Sequence, residues 1–243
     1  MLLTHLLTDL PWDSTFFGFR VGQLAAKQLS EEQLQAAVAQ ARDLGYGLLY
    51  WFVDPTDAVS LAAAACNSLA AVDDKRIYTV ALLGKEKQPT SVQPASEAHP
   101  KLVALAVQSG VYSRFRTDKR FAAGAYEQLY TQWLDKALTG APTQQVLIYP
   151  AGSAAEAQGL LTLERREGTI QIGLLAVDTE WRRRGIGQQL LNAAKREAYA
   201  AGFSTLQVTT QGANAAACRL YEQNGFTLHQ RHYVFHIWLP QEE

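Results

Sequence analysis

The chain has 243 residues, 48% of them hydrophobic and 19% charged, with 22 Lys+Arg against 23 Asp+Glu. That length fits one large domain or two small ones, and the apolar content is enough for a true core. A net charge of −1 argues against a general binder of nucleic acid or anionic membrane, which would carry a basic surplus. The two cysteines, Cys66 and Cys218, have no paired spacing, so neither a disulfide framework nor a zinc site is expected. The N-terminal MLLTHLLTDLPW lacks the basic segment and cleavage site of a signal peptide. No stretch approaches the ~20 apolar residues needed to span a bilayer. The expectation is a cytoplasmic protein with no membrane, nucleic-acid or metal partner.

Along the chain, Ser30-Glu31-Glu32-Gln33 is a capping-box pattern. Leu34, Ala37, Val38, Ala41 and Leu44 follow at helical spacing, and Gly45 suits the position just past a helix end. LLYWFVD (48–54) predicts a strand closed by Pro55, DAVSLAAAACNSL an alanine-rich helix, and KRIYTVALL (75–83) a second strand. A polar shift with two prolines over 84–94 places a domain boundary near residue 88, giving domains 1–88 and 89–243. Ser96 is expected to cap a helix running to about Gln108, and a further helix is expected over 121–138. On that second helix Tyr126, Leu129, Tyr130, Trp133, Leu134 and Ala137 share a broad face.

Strands are expected at 144–150, 157–165 and 169–177, the last two joined by a turn at REGT. A helix over 187–201 ends at Gly202; a strand (204–210), the helix ANAAACRLYEQNG and the strand HYVFHIWLP complete the chain. Mixed helices and strands with a partly antiparallel sheet make the fold α+β (mixed α/β). Residues 67–82 and 224–239 align without a gap as helix end, turn and strand, a hint that the small domain repeats half of the large one.

Two stretches carry chemistry. In WRRRGIGQ (181–188), Arg182, Arg183, Arg184, Gly185, Ile186, Gly187 and Gln188 lie where a strand turns into a helix. A helix N-terminus offers free N–H groups and partial positive charge to a phosphate, and glycines let it approach. No Gly-Lys-Ser/Thr follows, and the three-glycine dinucleotide pattern is missing, so the turn alone could equally be a solvated basic loop. The second stretch is NAAACRLYEQNGF. Its Asn214 and Tyr221 are two helical turns apart and so share a face.

Together, Arg182-x-x-Gly185-x-Gly187 and Asn214-x6-Tyr221-x3-Gly225-Phe226 resemble the GNAT acyltransferase superfamily, with order and flanking elements matching across roughly 92–239. The resemblance implies acetyl-CoA as co-substrate. The loop amides would take its pyrophosphate, Leu175, Ala176 and Val177 would pair with pantetheine, and Asn214 would hold that arm. Tyr221 would protonate the departing thiolate, and an N–H near Gly173–Leu175 would meet the oxyanion. The alternative for Tyr221 is an aromatic packed in the core.

Three further stretches, LPWDSTFFGFRVGQL (10–24), SRFRTDKRF (113–121) and YEQLYTQWLDKALTG (126–140), resemble the bacterial dTDP-4-amino-4,6-dideoxygalactose (TDP-fucosamine) N-acetyltransferase family. That resemblance implies a smaller, truncated GNAT-like N-terminal domain, a nucleotide-sugar substrate, a homodimer, and Asp73 as a proton relay from the attacking amine. A turn carboxylate in VDDK is the plainer reading of Asp73. Arg114 and Arg116 would face the nucleotide phosphates, or else serve as surface charges. Phe16 and Phe17 fit a core better than a stacking platform. His232 and His236 lack a third ligand for a metal, and Cys218 lacks the partners of a nucleophile. Two rivals remain: a GNAT enzyme acting on a peptide N-terminus, polyamine or small metabolite, and a CoA-binding sensor without turnover.

Overall fold

The computed structural model describes residues 6–84, 91–140 and 142–240. In chain order the strands are β1 (Leu7–Asp9), β2 (Arg20–Leu24), β3 (Tyr46–Val53), β4 (Ala71–Ala81), β5 (Gln93–Ala95), β6 (Gln144–Tyr149), β7 (Gly159–Arg166), β8 (Thr169–Val177), β9 (Thr205–Gln211) and β10 (Thr227–Trp238). The helices are α1 (Pro11–Phe17), α2 (Glu31–Asp43), α3 (Ala58–Cys66), α4 (Pro100–Ser109), α5 (Arg114–Thr117), α6 (Ala125–Thr139), α7 (Ile186–Ala200) and α8 (Ala215–Gln223). The class is α+β with mixed strand directions, as the pattern predicts. No helix among the described residues is long and apolar enough to cross a membrane.

Two compact units emerge. The first comprises the described residues up to Lys75 with those from Arg231 on; the second is Arg76–Gln230. The boundary expected near residue 88 lies outside the described residues. The compact division falls earlier, and the end of the chain groups with the beginning, because residues Tyr233–Trp238 of β10 pair antiparallel with Val53–Leu48 of β3. Within the first unit β1 is antiparallel to β2, and β2 is parallel to β3. The capping box of α2 forms in full, with Ser30 Oγ accepting from Gln33 N and Gln33 accepting from Ser30 N. Leu34, Ala37 and Ala41 of α2 pack with Leu49, Trp51 and Phe235 in this unit's core.

In the second unit the strands run in the order β4, β9, β8, β7, β6, β5. The hairpin expected at REGT is present: Arg166 faces Thr169 across the two-residue turn Glu167-Gly168, with Gly168 at φ 70°. The unit's core holds Leu161, Leu163, Ile170 and Ile172 from the sheet under Leu190, Leu191 and Ala194 of α7.

Several expectations are corrected. The helix expected to start at Ser96 starts at Pro100 and is capped by His99, whose Nδ1 accepts from Lys101 N at 3.1 Å; Pro100 fixes the first helical φ and donates nothing. The helix expected from 121 begins at Ala125, because Gly124 turns through φ 82° just before it. The strand expected at 75–83 runs Ala71–Ala81, so Asp73 and Asp74 lie in a strand and not in a turn. The stretch 10–24, given no elements from its sequence, holds α1 and β2.

The internal echo has a local structural basis. Asp57 and Asn214 each cap a nine-residue helix by accepting from the backbone N–H three residues on. Asn67 and Asn224 end those helices, each donating its side-chain amide to the carbonyl four residues back at 2.8 Å. Ser68 (φ 53°) and Gly225 (φ 81°) then reverse the chain into β4 and β10.

Candidate active site

Strand β8 has two different halves. Ile170, Gln171 and Ile172 pair in parallel with Leu206, Gln207 and Val208 of β9, and that pairing stops at Ile172. Beyond it, β8 stays paired with β7 but shifts register, so that Gly173 and Leu174 stand opposite Thr162 alone. Asp178 N donates to Gln158 O at 2.8 Å, which marks residues 158 and 178 as a hydrogen-bonded pair. Alternation along an antiparallel ladder then makes Leu160–Ala176 bonded and leaves Leu161–Leu175 and Gly159–Val177 non-bonded. The backbone groups of Leu175 and Val177 therefore face away from β7, along the open edge. Ala176, expected to share that role, points its N–H and C=O at β7.

That edge forms one wall of a cavity of about 830 Å³ within the second unit. Val177 O accepts from Gln108 Nε2 at 2.7 Å and from Arg182 Nε at 3.1 Å, joining the strand to α4 and to the basic turn. Leu174 N–H donates to Thr162 Oγ1 at 2.8 Å, so it is withdrawn from the expected set of oxyanion donors. Leu175 N–H remains on the open side.

The turn Arg182–Gly185 leads into α7. Arg183 lies at φ 61°, a left-handed conformation uncommon outside glycine, and Gly185 caps the helix at φ 79°. No side chain caps α7, and its first backbone bond runs from Gln189 N to Gly185 O. The N–H groups of Ile186, Gly187 and Gln188 thus carry the helix's positive end at the cavity wall. The arginines do different work from one another: Arg182 holds Val177 O, Arg184 lies over the Trp181 ring at 4.6 Å, and Arg183 lines the cavity. A Cβ on Gly187 would sit 3.0 Å from Leu220 Cδ2, so this glycine lets α7 and α8 approach, which is a packing requirement. Ahead of the turn, Asp178 caps the short helical turn Thr179–Trp181 and pairs with Lys101; the Lys101 ammonium holds its carboxyl below the usual range.

Helix α8 supplies the facing wall. Asn214 lines the cavity and caps α8, with Oδ1 accepting from Ala217 N at 3.1 Å. Tyr221 is 4% exposed and lies in the core, its ring 5.6 Å from Phe226 and 6.0 Å from Tyr78. Burial pushes its phenol well above the ordinary tyrosine value, so it stays protonated. Tyr221 is not among the residues that line the cavity. Beside it, Tyr78 OH donates to Glu222 Oε1 at 2.8 Å and ties the Tyr221 turn to β4.

Other expected residues fall elsewhere. Asp73 is half-buried on β4 in the first unit, next to Asp74, which pairs with Arg231 at 2.6 Å. Arg116 Nη1 donates to Val111 O at 2.9 Å, and Arg114 lies over the Phe115 ring at 4.5 Å; neither lines the cavity. Trp12 and Phe16 stack, and Phe16 meets Phe17 edge-on. Among the described residues no group of three or more His, Cys, Asp or Glu could hold a metal ion. Sequence reasoning missed Gln108, Tyr112 and Arg219 in the lining. Gln108 and Tyr112 flank the Gly110 that ends α4, a polar-aromatic cluster at a helix end that was open to notice; Arg219 carried no signal.

Residues 111–226 match the acetyltransferase (GNAT) family model. The chain is 38% identical over 127 residues to the dTDP-fucosamine acetyltransferase of Escherichia coli O6:H1, covering 52% of this chain and 53% of that protein. It is 28% identical to spore coat polysaccharide biosynthesis protein SpsD of Bacillus subtilis, covering 57% and 47%. The chain thus matches about half the length of these curated relatives. A GCN5-related N-acetyltransferase from Sphaerobacter thermophilus shares the fold, with a TM-score of 0.59 over 90% of this chain and 72% of that one, at 13% identity. The open strand edge, the uncapped helix and the matched segment coincide: residues 111–226 match an acetyltransferase domain of the GNAT family.

Proposed function

We propose that the protein transfers the acetyl group of acetyl-CoA to the free amine of a nucleotide-linked amino sugar of the dTDP-4-amino-4,6-dideoxyhexose type, in surface polysaccharide biosynthesis. One observation carries the acetyl-CoA half: the uncapped N-terminus of α7 and the open edge of β8 line the same cavity. Anions bind at helix N-termini, and an extended amide chain such as pantetheine can add to a strand edge. The names of the two curated relatives support the sugar half.

In this reading the amides of Ile186–Gln188 hold the pyrophosphate, and Leu175 and Val177 pair with the pantetheine arm, helped by the Asn214 amide. The sugar amine attacks the thioester carbon directly. Leu175 N–H steadies the oxyanion, the C–S bond breaks, and the Tyr221 phenol gives its proton to the leaving sulfur. The phenol is kept neutral by burial and so is a ready donor once the sulfur carries charge. The amine's proton leaves through water, with Asp73 as its acceptor. Arg114 and Arg116 keep their assignment to the nucleotide's phosphates. The repeated caps around α3 and α8 support reading the first unit as a truncated counterpart of half a GNAT domain. Sugar nucleotides and acetyl-CoA place the work in the cytoplasm.

The test is release of free thiol from acetyl-CoA with purified protein and a panel of dTDP-amino sugars, polyamines and peptides. Turnover with a 4-amino sugar nucleotide is expected. Turnover with another amine alone would reassign the acceptor, and CoA binding without turnover on any amine would make the protein a sensor.

A further inference from the structure

The shift in β8 has an identifiable cause. Thr162 is 5% exposed, and its Oγ1 accepts from Leu174 N at 2.8 Å, while the Cβ of any larger residue at Gly173 would lie 2.8 Å from that same oxygen. Real Cβ atoms do not make so close a contact. One hydroxyl thus occupies the place where two residues of β8 oppose one of β7, and only glycine leaves it room. The consequence is visible in side-chain parity. Ile170 and Ile172 lie in the core under α7, and after the extra residue Leu175 and Val177 pack there, while Leu174 does not. A one-residue shift flips every following side chain and also every following backbone group. Without it, Leu175 and Val177 would turn their N–H and C=O to β7, and the open edge would present Leu174 and Ala176.

We infer that Thr162 and Gly173 form a lock that holds the β8 bulge, making Thr162 a positioning residue for the acyl-CoA-binding edge. It acts through Leu175 and Val177. The ligand part rests on the function proposed above; the lock itself does not.

The experiment uses the full chain with Thr162→Val, which keeps the shape but removes the acceptor, and Thr162→Ser, which keeps the acceptor. Residue-resolved amide exchange is read at Leu174, and CoA affinity by calorimetry. In Thr162→Val the buried Leu174 N–H loses its partner, and its protection should fall about tenfold relative to neighbouring β8 amides. CoA Kd should rise about tenfold, with Thr162→Ser within about twofold of the parent on both readouts. If Thr162→Val does not fold, Gly173→Ala carries the test, since its Cβ displaces the hydroxyl and should expose the Leu174 amide likewise. Unchanged protection of Leu174 in folded Thr162→Val or Gly173→Ala would overturn the lock, as would a Thr162→Ser variant that loses protection as fully as the valine. A parent protein that protects Leu174 but does not bind CoA would sink the proposed function and leave the lock standing.

Discussion

The two ends of the cavity are built from different materials. At the basic turn the cavity wall is backbone: three helix amides that no side chain caps, approached through the left-handed Arg183 and Gly185. At the strand-edge end the wall is the edge of β8, and the acid proposed for the reaction is a buried side chain outside the lining, the Tyr221 phenol, whose ring meets those of Tyr78 and Phe226. Backbone tolerates side-chain substitution and fails when its conformation is blocked. A buried side chain behaves in the opposite way. On the proposed reaction the first end should govern affinity and the second turnover, and each variant below separates those two parameters.

The largest effect is expected from Tyr221→Phe, which should lower kcat about 100-fold with CoA affinity unchanged within about twofold. Burial raises the phenol, so in the parent the limb of the kcat profile owed to Tyr221 should lie above the ordinary value of about 10. A full rate in the phenylalanine variant, read by steady-state kinetics, would break the contrast between the ends. Next comes Gly185→Ala. A side chain at φ 79° is strained by about 1–2 kcal/mol, so the turn should relax and CoA Kd rise about tenfold while kcat at saturation holds. Gly187→Ala should do less, about threefold, because a Leu220 methyl can yield to its Cβ.

Asn214→Ala mixes the two kinds of construction. It removes the α8 cap, worth about 1 kcal/mol, and should cost a few degrees of melting temperature together with about fivefold in CoA affinity. A lowered melting point with unchanged affinity would confine Asn214 to the cap. The smallest effect is expected for Arg184→Ala, within about twofold in Kd, since its guanidinium lies over Trp181 and an exposed cation contributes little. A tenfold loss there would show that the basic turn binds by side-chain charge and not by backbone.

Elements with a strong local rule were readable from the residues. The capping box of α2, the glycine turn between β7 and β8, and the apolar face of α6 all appear where the pattern puts them. Misses came where a rule had competitors. Ser96 and His99 both precede the α4 helix, and Pro100 decides between them. Asp73-Asp74 looks like a turn, yet the strand extends through it, with Asp74 held by Arg231 from far along the chain. For the site, local spacing singles out the basic turn and Asn214, which line the cavity, but it does not record that Tyr221 is buried, that Arg116 donates to Val111 O or that Arg114 lies over Phe115.

By itself, then, the order of residues determined the local conformations and the type of chemistry. Gly185 next to an uncapped apolar helix, and Asn214 two turns before Tyr221, depend only on neighbours within a few residues. Three matters were left to tertiary packing. One was which backbone groups of β8 face outward, because a hydroxyl on another strand sets its register. Another was how far Tyr221 sinks into the core, because Tyr78 of β4 packs against it. The last was where the compact units divide, because β10 returns to pair with β3. Each depends on a contact between residues distant in sequence, which no local spacing records.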